Sequence, residues 1–435
     1  MAERDVARHN SDHYLELAVP DTARPLEVLL LTPVIVAATR SPIGRARKGS
    51  LVDVRPDDLA AHIITAALAR VPELDPALVE DILLGCAIPE GVSGGNLART
   101  VGILAGLDQA GGATTSRFCA SSLETTRNAA NAIALGQAEV VISAGVESLS
   151  MGRGAAVFDD SAQHPAFADA VRRTERRAAG EDTSTWTDPR ERGDLPDAYI
   201  AMGQTAENVA QICGISRQRQ DEWAVLSQHR AEEANASGFF DREITPVPIG
   251  NGRELARDES PRIGVSLEAV SQLEPVFRPN GTVTAGNACP VNDGAAALVM
   301  TSWEKARELG IRPLARVVTS AVSGLSPEIM GLGPVESTRR ALAQAGLTMQ
   351  DIDLVELNEA FAAQVIASAD QLEIPTSKLN VHGGAIALGH PWGMTGARLI
   401  TTLINGLQER DGRYGLATLC VGGGQGMAVI IERIR

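Results

Sequence analysis

RFCASSLE, residues 117–124, places Cys119 where a short extended stretch runs into a helical pattern that ends near Gly136. Unpaired amides and the dipole at a helix N-terminus favour a thiolate, and cysteines so placed fall from about 8.5 to roughly 3.5–7.5 in pKa. A small buried thiol that only packs would occupy the same position, so both readings stay open on this segment alone. Outward from it the chain alternates. Strand patterns at 29–36, 79–84, 138–144 and 296–301 are separated by helical patterns at 56–71, 96–105 and 120–135. Pro56, Asp57 and Asp58 suit a first helical turn. The alternation predicts an α/β fold with a largely parallel sheet covered by helices.

The order returns after about residue 312, with a helix at 335–345, a strand at 352–357, a helix at 359–372, a glycine-rich turn, a helix at 395–407 and strands at 416–421 and 427–432. Two similar halves suggest an internal duplication, although few residues are shared. Between them, residues 150–285 differ in character, with charge-rich stretches at 172–177 and 188–194 and helical patterns from Met202 and Ser216. A connection of that length inside a compact fold acts as a lid, a binding loop or an assembly element.

A chain of 435 residues, 44% hydrophobic and 21% charged, buries a substantial core and is expected to hold more than one domain. Its net charge of −15 argues against a nucleic-acid partner, while leaving room for a local basic patch that holds a small anion. The cysteines at 86, 119, 213, 289 and 420 have neither metal-ligand spacing nor disulfide-scaffold density, which fits reduced thiols in the cytoplasm. The first 28 residues mix Glu, Asp, Arg and His as a flexible tail would, and no apolar run has the roughly 18–20 residues needed to span a bilayer.

Three more segments carry candidate chemistry. In HGGAIALGHPWGMTGAR, 382–398, His390 sits in a glycine-rich turn and Pro391 fixes the chain behind it, a rigid mounting that a general base needs. In CVGGGQG, 420–426, Cys420 stands beside three glycines whose amides could form an oxyanion hole or simply a tight turn. In NEAFAAQ, 358–364, Asn358 follows a strand and is either a helix cap or a holder of water or a substrate oxygen.

Together these four segments resemble the motifs of the thiolase family, in family order and at family-like intervals. PVIVAATRSPIGRARKGSL (33–51), GQAEVVISAGVESLSM (136–151) and TVTAGNACPVNDGAAAL (282–298) extend the resemblance over nearly all the chain from about residue 32. It implies a thiolase fold: two mixed-sheet α/β halves, five-layered (αβαβα) when packed, with an inserted loop domain. The implied division is a tail at 1–31, an N-terminal half at 32–149 and 286–312, a loop domain for coenzyme A binding and oligomerisation at 150–285, and a C-terminal half at 313–435.

The resemblance makes Cys119 the acyl-accepting nucleophile, His390 its base and Cys420 the acid/base at the α-carbon of a 3-ketoacyl-CoA. It assigns the backbone amides of Cys119 and Gly422 to the tetrahedral adduct, and His390 with a water held by Asn358 to the enolate. Met202, Arg253, Met330 and Phe361 are the implied contacts to CoA and substrate, with CoA a co-substrate and no cofactor. A homodimer or homotetramer, or a subunit of a β-oxidation complex, is the implied assembly. Ala201 and Ala269 depart from short-chain biosynthetic relatives, which have a histidine and a serine there. That departure favours a degradative 3-ketoacyl-CoA thiolase over an acetoacetyl-CoA thiolase. Cys289 is read as structural. A ketosynthase-like condensing enzyme is disfavoured by Cys420, and an idle CoA-binding scaffold by all four reactive positions being filled.

Overall fold

Apolar, β-branched residues after Pro33 form β1 (Pro33–Arg40), buried along nearly its whole length. The computed structural model describes residues 30–152 and 163–435, so the tail expected at the N-terminus lies outside the described residues as far as residue 29. After β1 come β2 (Gly44–Arg45), α1 (Pro56–Ala69), β3 (Asp81–Gly85), α2 (Leu97–Leu104), β4 (Gly111–Thr115), α3 (Ser121–Ala134) and β5 (Val140–Ser148). The intervening block carries α4 (Ala168–Ala178), α5 (Met202–Ile212), α6 (Arg217–Ala236), the short strands β6 (Val247–Pro248) and β7 (Glu254–Leu255), and α7 (Leu267–Ser271). Then follow β8 (Asn292–Ser302), α8 (Trp303–Glu308), β9 (Ala315–Gly324), α9 (Gly333–Ala345) and β10 (Leu354–Leu357). The chain closes with α10 (Ala362–Leu372), α11 (Ala385–Leu388), α12 (Trp392–Glu409), β11 (Tyr414–Val421) and β12 (Gln425–Arg433).

The main sheet runs β10-β11-β12-β9-β1-β8-β5-β3-β4. It is mixed, which corrects the expectation of a largely parallel sheet: β8 is antiparallel to both β1 and β5, and β12 to both β9 and β11. Only β3 with β4 and β5, and β10 with β11, pair in parallel as named strands. The duplication is visible here. Numbering the strands of each half in chain order, β1, β3, β4, β5 and β8 lie in the order 3-2-4-5-1. In the second half β9, β10, β11 and β12 repeat that order and polarity, and a single parallel bridge from Val355 to Leu379 stands for the missing third strand. Among the described residues the two half-sheets pair at Val34–Arg316 and Ile35–Ala315.

Both half-sheets close over a central pair of helices, α3 and α12, whose apolar residues share one core with inward-facing residues of both halves. α12 buries most of its length, and a side chain at Gly396 would stand 2.3 Å from the Leu123 amide of α3, so glycine lets these backbones nearly touch. Helices α1 and α2 cover the outer face of the first half and α9 and α10 that of the second, each over its own core. The result is five layers of helix, sheet, helix, sheet and helix. Arg40 of β1 pins the intervening block to the first half, since its buried guanidinium meets Glu243 at 2.7 Å and Asp258 at 2.7 and 2.9 Å.

Candidate active site

Cys119 lies two residues ahead of α3, in a tight turn where the Ser121 amide donates to Phe118 O at 3.0 Å and the Ala120 amide to Arg117 O at 3.0 Å. Phe118 pays for this turn with a left-handed backbone, φ +42°. Arg117 reaches across the molecule to Gln425 Oε1 at 2.9 Å, and Gln425 Nε2 donates to Gly422 O at 3.2 Å. These bonds press the β11–β12 turn against the cysteine, and the amides of Gly422 and of Cys119 itself both reach the Cys119 sulfur. Burial pushes the thiol up to about 12, opposed by the Gly422 amide and reinforced by the charge of Glu147. The residue as a whole is half-buried. Such a thiol reacts at neutral pH only if a neighbouring base removes its proton.

His390 sits between α11 and α12, with Pro391 as the N-cap of α12. Gly389 before it has φ +110°, and a Cβ there would lie 2.6 Å from the side chain of Asn292. That contact is used: Asn292 Oδ1 accepts the His390 amide at 3.0 Å, while its Nδ2 donates to Gly44 O at 2.9 Å and Ser260 Oγ at 3.0 Å. The Thr395 hydroxyl gives its one proton to Pro391 O at 2.9 Å, so it accepts from His390 Nδ1–H at 2.7 Å. This bonding pattern assigns the tautomer in which Nε2 carries a lone pair and can accept a proton. Burial first, and then Arg398, lower the imidazole to about 3, which keeps it neutral across the physiological range.

Asn358 Nδ2 meets that Nε2 at 3.3 Å. Its Oδ1 is buried and has no hydrogen-bond partner among the described residues. The helix begins only at Ala362 with Phe361 as its N-cap, so the structure excludes the capping alternative for Asn358 and moves the start of this helix three residues beyond the expected one. That oxygen is free to accept from a small polar ligand such as water, and the cost of an orphaned buried acceptor, about 1–3 kcal/mol, is of the kind found at functional sites.

Cys420 is fully buried near the end of β11 and packs in an apolar cluster with Ala206, Val283, Met330, Ala360 and Phe361, which Met202 and Phe277 border. Burial, then Cys119 and Cys289, raise its thiol well above the ordinary value. Both of the other thiols therefore lie within electrostatic range of it, and Cys289, read from the sequence as structural, stands at the edge of the site with its amide on Ala360 O at 3.1 Å. The cluster places Met202, Met330 and Phe361 around Cys420. Arg253 is not among them: it is exposed in the turn between β6 and β7, beside Ile249 and Leu255, which pack on the outer core of the first half.

The sequence reading missed three positions. Thr395 and Asn292 orient His390, and Glu147 of β5 ties its turn to the first half by accepting the amides of Gly393 at 2.8 Å and Ala87 at 2.9 Å. All three stand inside or beside the quoted motifs, but a threonine, an asparagine and a strand-end glutamate carry no signal until the chain is folded.

Residues 33–304 match the thiolase N-terminal domain and residues 311–433 the thiolase C-terminal domain. Over 408 residues the chain is 43% identical to the 3-oxoadipyl-CoA/3-oxo-5,6-dehydrosuberyl-CoA thiolase of Escherichia coli (strain K12), covering 91% of this chain and 98% of that one. It is 41% identical over 412 residues to the 3-ketoacyl-CoA thiolase of Bacillus subtilis (strain 168), covering 92% and 98%. Human mitochondrial 3-ketoacyl-CoA thiolase in complex with CoA superposes with a TM-score of 0.80 at 37% identity, over 94% of this chain and 99% of that one. The acetyl-CoA acetyltransferase of Bacillus anthracis gives 0.81 at 38% identity, over 94% and 100%. With two matched domains filling the sheet halves described above and relatives aligned almost end to end, this chain belongs to the thiolase family.

Proposed function

We propose that the protein is a degradative 3-ketoacyl-CoA thiolase that transfers the shortened acyl group to CoA through a thioester on Cys119. His390 Nε2 takes the Cys119 proton, and the sulfur attacks the keto carbon while the amides of Cys119 and Gly422 receive the developing oxyanion. The bond between the α-carbon and the former keto carbon then breaks. Its electron pair leaves as the acetyl-CoA enolate, whose oxygen faces His390 and the Asn358 side, and Cys420 gives its proton to the α-carbon. The Cys420 thiolate next deprotonates incoming CoA, whose sulfur displaces Cys119 from the thioester. Cys119 leaves as a thiolate and recovers its proton from His390. Reversal joins two acyl-CoA units.

The observation that carries this reading is the buried His390 ring, held by Thr395 at Nδ1, with its Nε2 beside an Asn358 side chain whose Oδ1 has no partner among the described residues. Relatives named for 3-ketoacyl and 3-oxoadipyl thioesters support the degradative sense, and Ala201 and Ala269 remain departures from the biosynthetic pattern. The alternative, an acetyl-CoA acetyltransferase, has support from the Bacillus anthracis neighbour. Thiolysis rates over a series of 3-ketoacyl-CoA chain lengths decide between them: turnover of substrates longer than acetoacetyl-CoA is expected, and turnover of acetoacetyl-CoA alone would overturn the degradative assignment.

The same reading has no resident cofactor and a cytoplasmic enzyme. Its CoA contacts involve Met202, Arg253, Met330 and Phe361, together with the segment around α7, where Ile263, Leu273 and Val276 are exposed on the approach to Phe277 and Phe361. Its assembly is a homo-oligomer, supported by β4 standing at the sheet edge beside exposed Ile103 and Leu104. Light scattering on the purified protein tests this, and a monomer would refute it.

A further inference from the structure

Against a chain of net charge −15, one cavity is basic. It has a volume of about 240 Å3, lies between α4, α5 and the segment after α7, and among the described residues is lined by Arg173, Arg177, Arg192 and Arg278 against Asp182 and Glu328. An adjoining hollow of about 460 Å3 shares Arg177, Asp182 and Arg278, so those side chains stand between the two spaces.

Both carboxylates are already engaged. Glu328 accepts Trp186 Nε1 at 2.6 Å and the Asp197 amide at 2.9 Å, and Asp182 accepts the Ser184 hydroxyl at 2.6 Å and amide at 3.0 Å. Arg278 donates to Gln204 Oε1 at 2.6 Å, Gln204 O at 3.0 Å and Asn208 Oδ1 at 2.7 Å, all neutral acceptors. Arg177 is 11% exposed, donates to Ser184 O at 2.8 Å and Gln211 Oε1 at 3.0 Å, both neutral acceptors, meets Asp182 at 3.4 Å, and its buried Nε has no partner among the described residues. Burial, followed by the charge of Arg177, lowers Arg278 to about 10. Two partly buried guanidinium groups that repel one another and are incompletely neutralised are a poor arrangement for stability alone. An anion between them would remove the repulsion and fill the donor set.

We propose that Arg177 and Arg278, with Arg173 and Arg192 at the rim, form a binding site for a phosphate-type oxyanion separate from the thiol centre. The site shares a wall with that centre. Arg278 follows Phe277, whose ring packs edge-on against Phe361 at 6.1 Å, and Glu328 stands two residues before Met330, so both walls of the Cys420 cluster continue into the cavity. The phosphate has two sources, free in solution or carried by CoA.

The test is calorimetric titration of the full chain with inorganic phosphate at constant ionic strength. Saturable binding at one site is expected, weakened by roughly tenfold or more in Arg278→Gln and in Arg192→Gln. The Arg192 side chain is 53% exposed, so its replacement leaves the fold intact even if that of Arg278 does not. Thiolysis with CoA and with dephospho-CoA separates the sources. A KM raised in the variants for CoA but not for dephospho-CoA identifies the 3′-phosphate of CoA, whereas unchanged values for both identify a free anion. Absence of saturable phosphate binding, or equal affinity in wild type and both variants, overturns the proposal.

Discussion

Replacing Asn358 by alanine should separate stability from activity. The side chain makes one long hydrogen bond, 3.3 Å to His390 Nε2, and leaves Oδ1 buried without a partner. Losing the first costs about 0.5–1.5 kcal/mol, while removing an orphaned buried acceptor returns about 1–3 kcal/mol. The void left by the truncation costs about 1 kcal/mol in addition. The backbone amide, which donates to Thr418 O at 3.0 Å, is untouched. Asn358→Ala is therefore expected to unfold in urea within about 1 kcal/mol of wild type. Activity should behave otherwise. If the amide oxygen holds a water that donates to the enolate oxygen, kcat for thiolysis should fall by about 10²–10³, as when a single oxyanion donor is lost. Loss of 3 kcal/mol or more of stability would mark Asn358 as a structural residue, and thiolysis within tenfold of wild type would remove it from the mechanism.

Arg40→Met should strip the partner from two buried carboxylates, Glu243 and Asp258, and lower the unfolding free energy in urea by about 3–5 kcal/mol. Gly389→Ala is expected to cost about 1–3 kcal/mol in the same assay and to lower kcat, because it forces a left-handed φ on alanine and drives Cβ toward Asn292. Glu147 supplies a pH prediction. Burial raises its carboxyl from 4.5 to about 7 against the opposing amides, so the native state holds a proton that the unfolded chain has already lost between those values. Its contribution is therefore complete below about pH 4.5 and lost as the pH rises through about 7, a change on the order of 3 kcal/mol. Glu147→Gln should flatten that part of the stability profile, and parallel profiles for variant and wild type would contradict the assignment.

Much of the fold was legible in the sequence, because periodicity and length reveal buried strands and helices such as β5, β8, α3 and α12. Strand direction was not. β8 and β12 read like their parallel-sheet counterparts, and only the return of the chain beside β1 and β9 makes them antiparallel. β4, with the sequence GGATT at an exposed edge, lacks the apolar residues that announce a strand, and β9 alternates between buried and half-buried positions too weakly to stand out. At the site, Cys119, His390, Asn358 and Cys420 were legible through their motifs. Thr395 and Asn292 act on His390 through hydrogen bonds that sequence spacing does not specify.

Treatment of the purified enzyme with acetyl-CoA, followed by intact-mass analysis and peptide mapping, tests the central claim most directly. A single acetyl group on Cys119 is expected, absent from Cys119→Ala and retained in Cys420→Ala, whose turnover should nevertheless be lost. Acetylation at another residue, or none in a wild type that still catalyses thiolysis, would contradict the assignment of that sulfur as the acyl carrier.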